Sequence, residues 1–165
     1  MAEAQLQLPA DKAERYAALR VEIAAVIAGE TSLTARYATT ASMLTHAFPD
    51  TYFWCGFYLV DPLKPRELVV GPYQGTLGCL RIPFGKGVCG AAAETRETII
   101  VPDVHAFPGH IVCDSRSNSE IVVPVFDRDR ALAGVLDVDS TSFSSFDDID
   151  ARGLEAICAD LLTIP

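Results

Sequence analysis

The sequence predicts an α+β domain with a mainly antiparallel central sheet of about six strands, against which N- and C-terminal helices pack on one side. Three observations carry this prediction: helical apolar spacing near the N terminus, short runs rich in aromatic and β-branched residues, and helical spacing again at the end. Helices that precede and follow a run of strands, without alternating with them, are typical of α+β folds. A chain of 165 residues, half of them hydrophobic, suffices for one domain with a sizeable core.

Two amphipathic helices are predicted first. From Asp11, apolar residues recur at steps of three and four as far as Ile27, and a glycine ends the pattern. A second stripe begins at Leu33 and stops at Phe48, before a proline that disfavours further helix. We expect these helices to form a packing layer.

The strands follow, with one short helix among them. The run TYFWCGFYLV, residues 51–60, has the aromatic and β-branched content of a strand. Further strands are predicted at 67–70, 77–82, 98–101, 120–126 and 132–138, and a short helix at about 88–95. Ser145 with Asp148 resembles a capping box before a final apolar stripe, so a helix is expected to close the fold.

Charge and hydropathy exclude several classes of function. The net charge of −9 opposes binding to a phosphate backbone or an anionic membrane, and no Lys/Arg cluster offsets it. The N-terminal stretch lacks the apolar core of a signal peptide, and no run of about 18 apolar residues offers a membrane span. We expect a cytoplasmic protein that binds neither nucleic acid nor membrane.

The five cysteines need separate explanations, because an odd number in a reducing compartment does not indicate a structural disulfide framework. No C-x-x-C pair is present, which argues against a zinc ribbon or a thioredoxin-type motif. Cys55 lies in an aromatic strand and Cys158 on the last apolar stripe, so both are expected to be buried hydrophobes. Cys79, Cys89 and Cys113 remain as candidates for chemistry.

The segment GKGVCG, residues 85–90, fits the spacing G-x-G-x-x-G of dinucleotide-binding loops. Only about eight residues separate it from the next predicted strand, too few for the crossover of a parallel βαβ unit. We therefore expect a tight turn that starts a short helix. Cys89 lies in the first turn of that helix, where the dipole lowers a thiol pKa, so local electrostatics favours Cys89 as nucleophile.

The second candidate, Cys113, lies in a polar stretch typical of an exposed loop. His110 and Arg116 are near enough in sequence to stabilise its thiolate, although neighbouring acids oppose this. Cys79 is expected in a short strand with no charged residue nearer than Arg81, which suits a resolving partner more than an attacking thiol. His105, His110 and Cys113 contain zinc-ligand side chains, but their spacing matches no standard site, and solvent-facing histidines are expected instead.

Asp137 and Asp139 lie two residues apart at the end of an apolar strand, and so share one face. Solvated charges at a strand edge are one explanation. Alternatively, the pair concentrates negative charge on a pocket, where crowding raises a carboxyl pKa and favours a cationic ligand.

Five segments together resemble the free methionine-R-sulfoxide reductases, which are stand-alone GAF-type domains. The five segments are WCGFYLV, GPYQG, CLRIPFGKGVCG, VPDVHAFPGHIVCDSRSNSEIVVPV and GVLDVDS. The resemblance covers residues 29–165, expected to form a GAF-like catalytic domain, whereas residues 1–28, expected to be an N-terminal helix, carry little of it. Three cysteines at this spacing and the D-x-D strand are more specific than a general GAF pattern.

The resemblance implies a thiol chemistry without cofactor or metal. Cys113 matches the catalytic cysteine, which attacks the sulfoxide, releases methionine and becomes a sulfenic acid. Cys79 matches the resolving cysteine that forms a disulfide with it, and Cys89 a third cysteine that is an alternative resolver. We favour Cys113 as attacker. A helix dipole at Cys89 contributes only about 0.3–1 kcal/mol at an exposed site, which is less than positioning beside the substrate can supply. A thioredoxin-type reductant and a homodimer are also implied.

The resemblance also assigns roles to four further residues. Glu120 and Asp139 match acids suited to protonate the sulfoxide oxygen. Asp137 matches a third acid that orients them or attracts the substrate ammonium, and Trp54 an aromatic wall against its methyl group. Two other functions remain open: a GAF-type sensor that binds a small ligand, and a redox switch without turnover.

Overall fold

A computed structural model describes residues 8–163. Residues 1–7 and 164–165, which belong to the predicted segments 1–28 and 29–165, lie outside this range. The chain begins with helix α1, Lys12–Ile27, whose first turn is capped because the Asp11 side chain accepts a hydrogen bond from the Glu14 N–H. Helix α2, Leu33–Ala47, is capped in the same way by Ser32. Both predicted helices are therefore present.

The centre of the fold is a six-stranded sheet in which each neighbouring pair is antiparallel. Its strands are β1 Trp54–Asp61, β2 Lys64–Gln74, β3 Arg81–Pro83, β4 Ile99–Val101, β5 Ser119–Phe126 and β6 Leu132–Ser140, in the spatial order β3-β2-β1-β6-β5-β4. The chain ends with helix α4, Asp148–Leu161, and a shorter helix, α3, spans Gly87–Thr95. The predicted α+β class and strand number are confirmed.

The sheet separates two layers of apolar contacts. Cys55 and Phe57 of β1 face α1, α2 and α4, where the larger core lies. Trp54 and Tyr58 of β1 face the opposite side, where a second core packs around α3. This alternation follows from the two-residue period of a strand. It leaves the terminal helices on one side, as predicted, and the other side free for a cavity.

Two local predictions were wrong. Within residues 77–82 only the last two join β3, so Cys79 lies in a loop rather than a strand. The capping box of α4 is formed by Asp147 and Asp150, not by Ser145 and Asp148. The Asp147 side chain accepts from the backbone N–H groups of the first turn, whereas Ser145 donates its hydroxyl to Ser140.

No helix within residues 8–163 is both long and apolar enough to cross a membrane.

Candidate active site

A cavity opens on the face of the sheet opposite the terminal helices. The walls are the strand ends of β1, β5 and β6, the first turn of α3, and the two loops that carry the cysteines at positions 79 and 113. The predicted site residues that line it are Trp54, Cys89, Cys113, Glu120, Asp137 and Asp139.

Strand register places the acids together. Asp139 of β6 pairs with Glu120 of β5 on one side and with Trp54 of β1 on the other, so the three form one row across the sheet. Directly opposed residues have Cβ atoms about 4.5–5.5 Å apart. Asp137, two residues before Asp139, adds a carboxyl to the same face. Asp137 and Asp139 therefore converge on a pocket, as one of the two interpretations predicted, and are not solvated charges at a strand edge.

The carboxyl groups are buried without a compensating cation. Glu120 and Asp137 are only 5% and 6% exposed, and within residues 8–163 neither they nor Asp139 form an ion pair with lysine or arginine. Burial, followed by repulsion from Asp137, raises the pKa of both Glu120 and Asp139 well above the usual range. Burial also raises the pKa of Asp137 to about 6. One oxygen of Asp137, Oδ1, is buried without a hydrogen-bond partner.

Cys89 lies against these acids, and its predicted thiol pKa was wrong. Its Sγ is 3.9 Å from Glu120 Oε1, and the residue is only 4% exposed. Burial, then repulsion from Asp137 and Glu120, raises the pKa of this thiol well above its usual value. The helix dipole therefore does not decide its protonation, because desolvation and two nearby acids outweigh it.

A disulfide joins Cys79 and Cys113, whose Cα atoms are 5.5 Å apart although 34 residues separate them in sequence. This is the pairing that the resemblance implied. Cys113 is exposed at the cavity mouth, whereas Cys55, Cys89 and Cys158 are free and buried. The expected burial of Cys55 and Cys158 is confirmed.

Contacts between the two cysteine loops fix their relative position. The Thr76 hydroxyl donates to Asp114 at 2.8 Å, and Arg116 pairs with the same carboxylate. The Arg116 guanidinium also lies over the ring of Phe53, 4.7 Å from its centroid. Arg116, a predicted stabiliser of the thiolate, is therefore engaged with Asp114. His110 lines the cavity, and burial lowers its pKa.

Trp54 forms a flat wall of the cavity. Its ring stacks against the rings of Tyr58 and Tyr73, with centroid distances of 5.7 and 5.1 Å. The indole Nε1 donates to the Thr76 carbonyl at 2.9 Å, which anchors the ring to the loop before Cys79. These contacts hold the indole in place in the wall of the cavity.

Sequence reasoning missed two polar groups of this site. Tyr58 shares the face of Trp54 at a spacing of four along β1, a signal that the strand period offered. Ser117, which is 6% exposed, donates a hydrogen bond that partly offsets the rise in the Asp139 pKa. No pattern in its polar loop distinguished this serine. His105, weighed above as a zinc ligand, instead contacts Asn118 at 3.0 Å.

Comparison with known proteins agrees with this geometry. The GAF domain profile matches residues 20–162. The free methionine-R-sulfoxide reductase of Escherichia coli is 46% identical over 151 residues, which cover 92% of this chain and 88% of the relative. This chain belongs to the free methionine-R-sulfoxide reductase family.

Two solved structures of that reductase family share the fold. The enzyme of Neisseria meningitidis, solved in complex with its substrate, is 47% identical, with a TM-score of 0.90 over 96% of this chain and 93% of the other. The Staphylococcus aureus reductase, also solved with substrate, is 42% identical, with a TM-score of 0.82 over 90% of this chain and 94% of the other. The GAF-like fold implied by the resemblance is therefore confirmed.

Proposed function

We propose that this protein reduces free methionine-R-sulfoxide to methionine in the cavity described above. The observation that carries the proposal is the Cys79–Cys113 disulfide at the mouth of a pocket with buried, uncompensated acids. A disulfide is the expected product when one cysteine takes oxygen from a sulfoxide and a second cysteine resolves it. The relatives from N. meningitidis and S. aureus are described as substrate complexes, which supports the same use of the cavity here.

The first chemical step assigns attack to Cys113. Its thiolate forms a bond to the substrate sulfur while the sulfoxide oxygen accepts a proton, for which Glu120 and Asp139 are suited by their raised pKa values. The oxygen then passes to Cys113 as a sulfenic acid, and methionine leaves with its sulfur reduced by two electrons.

The second step assigns resolution to Cys79. Its thiol displaces water from the sulfenic acid of Cys113 and forms the disulfide seen in the structure. Cys89 is the weaker candidate, because its buried thiol has a raised pKa and faces Glu120.

Substrate recognition rests on the acids and the aromatic wall. Asp137, with its unpartnered oxygen, is proposed to pair with the substrate ammonium. The indole of Trp54 is proposed to contact the S-methyl group. A pocket that must satisfy a buried acid with a free ammonium group disfavours a peptide-linked methionine, which lacks that group.

Recycling and assembly complete the proposal. A thioredoxin-type dithiol is the proposed reductant, supported by the exposure of Cys113 in the disulfide. The proposal also includes a cytoplasmic location, where the reducing environment keeps thiols available. A homodimer is proposed on the grounds that Val21, Val26 and Leu33 of the helical layer are 67%, 58% and 51% exposed.

The test is methionine release from the fully reduced protein without added reductant. We expect one methionine per chain from the free R-sulfoxide, and none from the Cys113→Ser variant. Cys79→Ser should still release one equivalent and leave a sulfenic acid that a carbon nucleophile traps. Cys158→Ala, which changes a buried thiol remote from the cavity, is the matched control and should behave like the parent.

Two results would contradict these assignments. A full burst from Cys113→Ser would move the attack to another thiol. Disulfide formation without methionine release would instead favour a redox switch, the second function that the disulfide by itself permits.

A further inference from the structure

A compact group of metal-ligating atoms lines the cavity. Single ligand atoms of Cys89, Glu120 and Asp137 all lie within 4.8 Å of one another, and all three residues are buried. Zinc bonds of about 2.0–2.3 Å in a tetrahedral site place ligand atoms about 3.3–3.8 Å apart. Small rotations of these side chains would therefore bring the three ligand atoms to zinc-binding distances.

The described residues provide no cation to balance this group when its acids ionise. Among the described residues, no lysine or arginine forms an ion pair with Glu120 or Asp137. Independently, Asp137 Oδ1 is a buried acceptor without any partner, although the residue is 94% buried and lines the cavity. An unsatisfied buried acceptor is costly, so a bound cation stabilises this arrangement.

The ligand types select the kind of cation. Carboxylate oxygens alone suit Mg²⁺ or Ca²⁺, whereas a thiolate beside them favours a softer ion such as Zn²⁺. The donors come from α3, β5 and β6, whose mutual positions are held by the sheet and its packing. Cys89 is also free when Cys79 and Cys113 are joined, so the group persists in the disulfide form.

We propose that Cys89, Glu120 and Asp137 form a Zn²⁺ site inside the substrate cavity, and that bound zinc excludes the substrate. Binding releases the protons of the Cys89 thiol and the Glu120 carboxyl to the buffer and forms Zn–S and Zn–O bonds without any redox change. The exclusion of substrate rests on the proposed function, because Asp137 would serve both the substrate ammonium and the metal. Zinc binding itself does not depend on turnover.

Metal binding is tested on the disulfide form after chelator treatment, so that Cys79 and Cys113 cannot ligate. Titration calorimetry with Zn²⁺ alone is expected to give one ion per chain. Co²⁺ is expected to produce a thiolate-to-metal charge-transfer absorption. Cys89→Ser and Asp137→Asn should each weaken Zn²⁺ binding at least tenfold, and Cys89→Ser should remove the absorption band. Cys158→Ala, a buried thiol in the opposite core, should leave both signals unchanged.

Inhibition by zinc is tested in a separate experiment. In a multiple-turnover assay with a thioredoxin-type reductant, Zn²⁺ is expected to raise the apparent KM for the sulfoxide without changing kcat. Absence of Zn²⁺ binding to the disulfide form, or binding that both variants retain, would overturn the metal site whatever the turnover assay shows. If zinc binds as expected while methionine release is absent from the parent, the metal site stands and the proposed function fails.

Discussion

Replacing Asp137 by asparagine is expected to stabilise the empty protein above pH 6 while it weakens substrate binding. Burial raises the pKa of Asp137 from 3.8 to about 6. Between these pH values the folded protein keeps a proton that the unfolded chain loses, so stability falls as pH rises through this window. Below pH 3.8 both states are protonated and the effect is absent.

The size of the gain follows from that difference in proton affinity. Each tenfold change in the acid dissociation constant corresponds to about 1.4 kcal/mol. The rise in the Asp137 pKa from 3.8 to about 6 therefore means that the carboxylate destabilises the fold by about 3 kcal/mol once pH exceeds 6. The amide of asparagine remains buried and retains a penalty of about 1 kcal/mol. The net gain of about 2 kcal/mol corresponds to a rise in Tm of about 4–8 °C for a chain of this size.

The measurement is thermal unfolding of the disulfide form at pH 8 and at pH 3.5. Asp137→Asn should raise Tm at pH 8 and lose that advantage at pH 3.5, whereas Asp129→Asn, an exposed acid in the turn after β5, should change neither. The Asp137→Asn variant should also raise the KM for the free sulfoxide at least tenfold. A lower Tm at pH 8, or an equal gain at both pH values, would refute the electrostatic reasoning.

Three further outcomes are expected. Trp54→Phe removes the hydrogen bond to the Thr76 carbonyl, and should lower the free energy of unfolding by about 1–2 kcal/mol in urea while raising KM several-fold; an unchanged KM would restrict Trp54 to packing. Gly90→Ala should lower the free energy of unfolding by about 2–4 kcal/mol, since its Cβ would lie 2.3 Å from the Pro83 carbonyl oxygen. Gly85→Ala, with φ of +75° but open space, should lower it by only about 1–2 kcal/mol, and equal losses would contradict the packing argument. Thiol titration in denaturant should find three thiols in the disulfide form and five after reduction, returning to three after one equivalent of substrate; a lasting count of five would contradict disulfide formation.

Local patterns predicted most of the fold correctly, because each depends on neighbouring residues. The helical stripes and the strand alternation are set by side-chain periods of 3.6 and 2. The strand predicted at residues 77–80 was wrong because a long-range contact replaced the local preference. Residues 77–80 have the composition of a strand, yet this segment forms a loop that the disulfide at Cys79 ties to Cys113.

The segment GKGVCG was also predicted correctly from its local sequence. Its short distance to the next strand excluded a dinucleotide loop, and the structure has a turn that begins α3. Gly85 and Gly87 take positive φ there, and Gly90 packs against the backbone of Pro83. The glycines thus serve the tight turn that brings Cys89 to the cavity.

The sequence by itself determined the helices, the antiparallel strands and the residue types available for chemistry, since these follow from short periods and composition. Only the tertiary structure decided which charges meet. Glu120 and Asp137 come to lie beside Cys89 from strands 31 and 48 residues further along the chain, and burial with them reverses the thiol pKa that the helix start alone favours. Electrostatic effects depend on distance and solvation in space, and the order of residues in the chain does not specify either.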